Sequence, residues 1–123
     1  MGLSRVVMRL ARNPGTEFAD GDDHRGYALV APLTPDGKLD ESGFREHRAQ
    51  CIVRRFAHDE DPVEGRLARR GERWFFDYGD NDEADEPLYR LGEHRFAVGE
   101  YVSITDEVGR LLTYKVTDVT SAR

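Results

Sequence analysis

The sequence predicts a mainly β fold: a small antiparallel β-barrel of about seven or eight short strands, with one short helix at about residues 40–50. Short segments rich in β-branched and aromatic residues recur along the chain, and turns that contain glycine or proline separate them. No alternation of strands with long helices, which a parallel sheet needs, interrupts this pattern. We prefer a barrel to an open sheet because closure hides strand edges that a small polar chain could hardly cover otherwise.

The N-terminal residues 3–12 fit two patterns. Their apolar positions lie on one helical face, but they also alternate with arginines as in a strand. We prefer the strand because the neighbouring segments are β-rich, and a first strand needs partners of its own kind. A polar loop is expected over residues 14–26. A strand over 26–33 follows, and its Pro32 cannot donate a ladder hydrogen bond.

A turn and the one expected helix come next. Thr34-Pro35-Asp36-Gly37 is a turn sequence because proline presets φ and glycine accepts positive φ. Asp40 can cap a helix over residues 40–50, since a short side-chain acceptor satisfies an unpaired backbone N–H. With Phe44 as its one aromatic anchor, this helix can lie against the core but cannot form its centre.

Three consecutive strands are predicted in the middle of the chain. In the last of them, alternation places Trp74, Phe76 and Tyr78 on one face. Burial of aromatic side chains of this size dominates core energetics, so we expect Trp74 and Phe76 inside. The predicted segments are strands over residues 51–57, 63–70 and 73–78, a polar acidic loop over 79–87 and a short strand over 88–91.

The clearest element is a hairpin between residues 96 and 119. Two arms rich in β-branched and aromatic residues flank an acidic loop that contains Gly109. An isolated hairpin is only marginally stable in water, so other strands must cover its apolar face. The positions that share this face are Val102 and Ile104 in the first arm and Leu112, Tyr114 and Val116 in the second.

Length, charge and cysteine content bound the class of protein. The 123 residues fit a single domain over 1–123. The formal net charge of −6 disfavours a nucleic-acid partner, since a strong basic face is the usual footprint of such proteins. The single cysteine, Cys51, permits no internal disulfide, which fits a reducing compartment. Without an apolar run of membrane-spanning length or a signal-peptide h-region, we expect a cytoplasmic protein that has no membrane partner.

The sequence offers no catalytic or metal-binding constellation. No Gly-rich phosphate loop or G-x-S-x-G motif is present, and Cys51 follows a helix end, where the helix dipole raises a thiol pKa. The four histidines lack zinc spacing. The acidic run 77–86 lacks the glycine and glutamate positions of an EF-hand, and we favour a solvated loop over a cation site there. We therefore expect no catalytic residue, no metal and no cofactor, and a protein that is not an enzyme.

The candidate binding site is an arginine-rich region on the three middle strands. Guanidinium groups can track phosphates while aromatic rings stack on bases, as in small barrels that bind single strands. Cross-strand pairing with Glu64, Glu72 and Asp77 is the alternative that we favour. Alternation leaves open whether Arg54 or Arg55 points outward. The candidate binding residues are Arg55, Arg66, Arg70, Arg73 and Phe75.

Two resemblances concern fold and compartment. The segment Phe96-x-x-Gly99-Glu100-Tyr101-Val102-x-Ile104, followed by Thr113-Tyr114-Lys115-Val116, is similar to a turn in small β-barrels of the ASCH and PUA kind, some of them RNA-associated. The wider pattern resembles a family of short uncharacterised bacterial proteins. It consists of Arg9-Leu10-Ala11-Arg12-Asn13-Pro14, Gly26-Tyr27, Arg54-Arg55-Phe56, Trp74-x-Phe76-x-Tyr78 and Gly99-Glu100-Tyr101-Val102-Ser103-Ile104. These resemblances imply a small β-barrel in a bacterial cytoplasm and carry no site residues.

The leading hypothesis for function is a non-enzymatic module that binds another protein or assembles with itself. It depends on the absence of a catalytic constellation and on the separation of acidic from basic segments, which suits electrostatic docking. The alternative is a barrel that binds single-stranded RNA or DNA through its arginine and aromatic strand face. A small-ligand-binding protein or an enzyme is the third class, and a deep polar pocket would favour it.

Overall fold

The computed structural model describes residues 2–71, 73–79, 86–87, 94–105 and 109–122. These residues form one antiparallel sheet of eight strands that curls into a half-barrel, together with one short helix, so the predicted mainly β fold is confirmed. The elements are β1 (Leu3–Leu10), β2 (Asp22–Pro32), α1 (Glu41–Glu46), a 3₁₀ turn (Arg48–Gln50), β3 (Ile52–Ala57), β4 (Glu60–Arg70), β5 (Arg73–Asp77), β6 (Glu86–Pro87), β7 (Tyr101–Thr105) and β8 (Leu111–Ala122).

The strands follow a meander that the C-terminal hairpin extends. Their order in the sheet is β6-β5-β4-β3-β2-β1-β8-β7, so β1 lies between β2 and β8. Val6 pairs with Leu29 on one side and with Val119 on the other. This central position explains why the N-terminal segment is a strand, as expected, and why Val6, Val7 and Met8 are all buried.

The concave inner face of the sheet carries the hydrophobic core. Trp74 and Phe76 are inside, as predicted. The Tyr27 ring lies 5.1 Å from the ring of Phe76 and 5.0 Å from that of Tyr114, which joins three strands of the half-barrel. The largest fully buried side chains are Tyr27, Phe76, Phe96, Met8, Leu29, Leu67, Ile104, Val6, Val53 and Val102.

Helix α1 covers one end of the half-barrel, which we call the helix end. The Asp40 carboxylate caps α1 by accepting hydrogen bonds from the backbone N–H groups of Ser42 and Gly43. Phe44 is buried, and its ring meets the Trp74 ring edge-on at 5.0 Å. The single helix predicted within 40–50, with one aromatic anchor, is confirmed.

Two strands begin earlier in the sequence than their composition indicates. β2 starts at Asp22, inside the predicted polar loop, because Leu10 of β1 pairs with Asp22 across a β-bulge. β4 starts at Glu60 rather than at Val63, and Pro62 therefore lies within it. Pro62 sits where the register between β3 and β4 shifts, a position that needs no ladder N–H.

Some predicted segments lie outside the described residues. They are the short strand over 88–91, most of the acidic loop over 79–87 and Asp106–Val108 of the hairpin loop. No helix in the part of the chain that the structure describes is long and apolar enough to cross a membrane.

Candidate functional site

The strand pairing divides the predicted binding residues between two faces of the sheet. Leu67 and Phe76 are opposite each other on β4 and β5 and both are buried in the core, so their sequence neighbours point outward. Arg66, Arg70 and Arg73 are exposed on this outer face of the sheet, and Phe75 lies there with them. The structure therefore brings four of the five predicted residues together.

Arg55 is the residue that does not join this group. It is opposite Tyr27 of β2 and Val63 of β4, and Tyr27 points into the core, so Arg55 lies on the inner face. Its neighbour Arg54 is the exposed member of the pair and lies on the outer face. The register between β2 and β3 determines which of these two arginines points inward, and the local sequence does not specify that register.

The outer arginines form a surface that we call the arginine face: Arg54, Arg66, Arg70 and Arg73. The Arg70 guanidinium lies 4.7 Å from the centroid of the Phe75 ring, which is only 9% exposed. The Arg70 guanidinium thus stacks on the Phe75 ring and covers it. Arg66 donates a long hydrogen bond of 3.4 Å to the carbonyl oxygen of Ala49.

Acidic neighbours lie on the same face without closing ion pairs. Glu64 is opposite Arg54, and Asp77 is opposite Arg66. Within the described ranges, neither carboxylate forms an ion pair with the arginine face, and Asp77 instead accepts a hydrogen bond of 2.7 Å from the Gly79 N–H. Glu64 and Asp77 are thus the cross-strand neighbours that the pairing hypothesis predicts. Within the described residues, however, they form no ion pair with Arg54 or Arg66. Glu72 lies outside the described residues.

A second group of arginines surrounds a small polar cavity at the end of the sheet opposite α1. This mouth cavity lies where β2 and β4 begin and β3 ends, and its volume is about 60 Å³. Tyr27 and Tyr114, whose buried rings belong to the core, line it on the inner face. Three arginines from separate parts of the chain also line it: Arg25 of β2, Arg55 of β3 and Arg110 just before β8.

Aromatic rings hold these three guanidinium groups. Phe18 has Arg25 at 5.0 Å and Arg110 at 5.5 Å from its centroid, and Arg55 lies 5.1 Å from the centroid of the Tyr78 ring. Arg110 also forms an ion pair of 2.6 Å with Glu17. Stacking of this kind fixes the guanidinium plane, and the N–H groups at its edge donate to polar partners.

The loop that carries Phe18 is fastened to β8 by a buried asparagine. The Asn13 amide donates to the carbonyl oxygens of Ala11 and Thr113, at 2.8 and 3.1 Å, and its oxygen accepts from the Thr113 N–H at 2.9 Å. The Phe18 carbonyl accepts from the Asn13 N–H at 2.9 Å. These bonds place Phe18 beside the mouth cavity.

The single thiol is unsuited to nucleophilic chemistry. Cys51 is fully buried, and its Sγ donates a 3.4 Å hydrogen bond to the His47 carbonyl oxygen. Burial raises the pKa of Cys51 to about 11, so the thiol is protonated at neutral pH, whereas the thiolate is the reactive form. Among the described residues, histidine, cysteine and acidic side chains form no group of three that could hold a metal ion.

Sequence reasoning did not find the residues of the mouth cavity other than Arg55. Arg25, Arg110 and Phe18 lie on different segments, and no local motif connects them. The only available signal was the pair of inward-facing tyrosines at the strand ends. Their convergence follows from the order of the strands, which the local sequence does not specify.

No family model, curated protein or solved structure matches this chain. The chemistry of the arginine face and of the mouth cavity is therefore the basis for inferring function.

Proposed function

We propose that the protein is a non-enzymatic interaction module that binds the acidic surface of a partner protein through the arginine face. One observation carries the proposal: Arg54, Arg66, Arg70 and Arg73 are all exposed on one face, and none is in an ion pair with a described carboxylate. Complementary charge on a partner would steer association and fix the orientation of the complex.

The composition of the face suits a protein partner. Arginine is enriched at protein interfaces, where its planar group makes both bidentate and stacking contacts. Ile52 lies opposite Arg66 on β3 and is 37% exposed, which adds an apolar contact beside the charges. Arginine is also one of the residue types enriched at the hot spots of protein interfaces.

The covered ring of Phe75 favours a protein over a single-stranded nucleic acid. Barrels that bind single strands stack bases on exposed aromatic faces. Here Arg70 covers the ring, so a base would have to displace the arginine first.

The proposal includes a cytoplasmic location. Cysteine usage supports this location: Cys51 is a free, buried thiol, and such thiols are typical of reducing compartments.

Charge reversal on the arginine face tests the proposal. We expect the wild-type protein to capture an acidic protein from native lysate at low salt, and Arg70→Glu/Arg73→Glu to weaken this binding at least about tenfold. Arg5→Glu/Arg12→Glu is the matched control, because it changes net charge equally at exposed residues of β1 and the following loop. Affinity is then measured by calorimetry with the purified partner.

Two other outcomes would assign the face differently. Binding of oligouridine, with a log–log salt slope near −3 (about −0.7 for each of four arginines), would indicate a nucleic-acid module. The affinity for oligouridine is measured by fluorescence anisotropy at salt concentrations between about 50 and 200 mM. A dimer in sedimentation velocity that Arg70→Glu/Arg73→Glu abolishes would indicate self-assembly. Equal losses in the variant and the control would contradict any specific role of the arginine face.

A further inference from the structure

We propose that the mouth cavity is a binding site for a small phosphate-class oxyanion, separate from the arginine face. The proposal does not depend on the proposed function, because the two groups of arginines lie on opposite faces of the sheet. The observation behind it is the convergence of Arg25, Arg55 and Arg110 around one small cavity.

Charge count favours an anion in this cavity. Among the residues that the structure describes, its lining contains three guanidinium groups and two carboxylates, Glu60 and Asp61, both of which are exposed. Glu60 lies 3.7 Å from Arg25, too far for a hydrogen bond. A guanidinium carries five N–H donors, so an arginine in an ion pair, such as Arg110 with Glu17, can donate to more than one partner.

The guanidinium groups are already held in place. Arg25 and Arg110 stack on the same Phe18 ring, and Arg55 stacks on Tyr78. A ligand that binds preordered side chains avoids much of the entropy cost of immobilising them. Forked N–H donors on fixed planes are the arrangement that proteins use to recognise phosphate oxygens in bidentate fashion.

Size selects a small ligand. A cavity needs at least about 10–15 Å³ to hold one water molecule, and the mouth cavity, at about 60 Å³, exceeds this minimum severalfold. A tetrahedral oxyanion presents four oxygens and fits this volume. The buried rings of Tyr27 and Tyr114 close the inner side, so any organic part of a phosphate ester would extend outward past Glu60 and Asp61.

Adjacent arginines give a matched test. Arg55 lines the cavity, whereas Arg54 lies on the opposite face and does not. Titration of the full chain with inorganic phosphate in a calorimeter, at constant ionic strength, should give a saturable binding curve. We expect Arg55→Ala to weaken binding at least about tenfold, the effect of losing one hydrogen-bonded charge, and Arg54→Ala to change it less than about twofold. Circular dichroism establishes that both variants keep the β fold.

A gain-of-affinity variant separates binding from a purely structural role. Glu60→Gln removes a carboxylate that competes for Arg25, so phosphate binding should become severalfold tighter. If the ligand in the cell is a phosphate ester, methyl phosphate should compete with inorganic phosphate. If the ligand is the free ion, inorganic phosphate should bind and methyl phosphate should not compete. The proposal is overturned by an absence of saturable binding, by equal losses in Arg54→Ala and Arg55→Ala, or by weaker binding in Glu60→Gln.

Discussion

Arginines stack on aromatic rings at both ends of the half-barrel, but the surroundings of the arginines differ between the two ends. At the helix end, Arg69 stacks at 5.3 Å on Trp74, and Glu41 of α1 neutralises it in an ion pair. Phe44 of the same helix covers the Trp74 ring. At the mouth, arginines also stack on aromatic rings, but both described helical segments lie at the other end, and a polar cavity remains.

This difference shows that an inward-facing arginine is not by itself a binding residue. Helix α1 supplies the Glu41 carboxylate that pairs with Arg69, and its Phe44 packs on the Trp74 ring, so the charge of Arg69 is neutralised within the fold. Arg55 occupies the equivalent face two strands away from β5, next to space that a small ligand could fill. We therefore expect stability to depend most on the helix end and ligand binding to depend on the mouth.

The largest expected effect comes from removing the aromatic anchor of the helix end. Trp74→Ala should lower the free energy of unfolding by about 4 kcal/mol, because it empties the space between Phe44 and the sheet. Urea unfolding measures the loss. Tyr101→Ala is the control, since Tyr101 is 54% exposed and its removal should cost less than about 0.5 kcal/mol. A loss below about 1 kcal/mol for Trp74→Ala would contradict the assigned role of this end.

At the mouth, the largest effect should come from backbone spacing rather than from a side chain. A Cβ at Gly26 would lie 1.9 Å from the carbonyl oxygen of Met8, so Gly26→Ala must push β2 away from β1. We expect a loss of about 3 kcal/mol in urea unfolding and weaker phosphate binding, because Arg25 precedes this position. Gly2→Ala, which meets nothing within 4 Å, should leave both unchanged. Wild-type stability in Gly26→Ala would refute this close approach of the strands.

The titration of Cys51 measures how well the helix end excludes water. Burial raises the pKa of Cys51 from 9.0 to about 11, so the unfolded chain releases this proton at lower pH than the folded protein. The stabilisation is complete below pH 9 and is lost as the pH rises towards 11, by about 2 kcal/mol. Denaturant unfolding of the wild type and of Cys51→Ala at several pH values isolates this contribution. Parallel pH profiles for the two proteins would show that water reaches the thiol.

Local patterns in the sequence were sufficient to predict most of the fold. Alternation identified the strands and placed Trp74 and Phe76 inside, because a half-buried strand repeats every two residues. Asp40 marked the start of the helix because capping is a contact over two or three residues. The early start of β4 was missed because a bulge accommodates Pro62, which a strand pattern would not tolerate otherwise.

The candidate sites depended on long-range register, which local patterns do not contain. Arg54 and Arg55 have similar neighbours in sequence, and only the pairing of Arg55 with Tyr27 sends one outward and the other inward. The mouth cavity joins Phe18 to Arg110 across the sheet, a contact between distant parts of the chain. A shift of one residue in the β2–β3 register would exchange the roles of the two arginines.

The smallest effect should come from loosening α1 without removing its anchor. Asp40→Ala removes the carboxylate that accepts from the N–H groups of Ser42 and Gly43, and we expect a loss of about 1 kcal/mol in urea unfolding. Asp40→Asn should retain most of the stability, since asparagine caps helices about as well. Phosphate binding should be unaffected in both variants because the cap and the mouth cavity lie at opposite ends of the half-barrel. A change in phosphate affinity in Asp40→Ala would mean that the two ends are coupled, and the division between a stabilising end and a binding end would then fail.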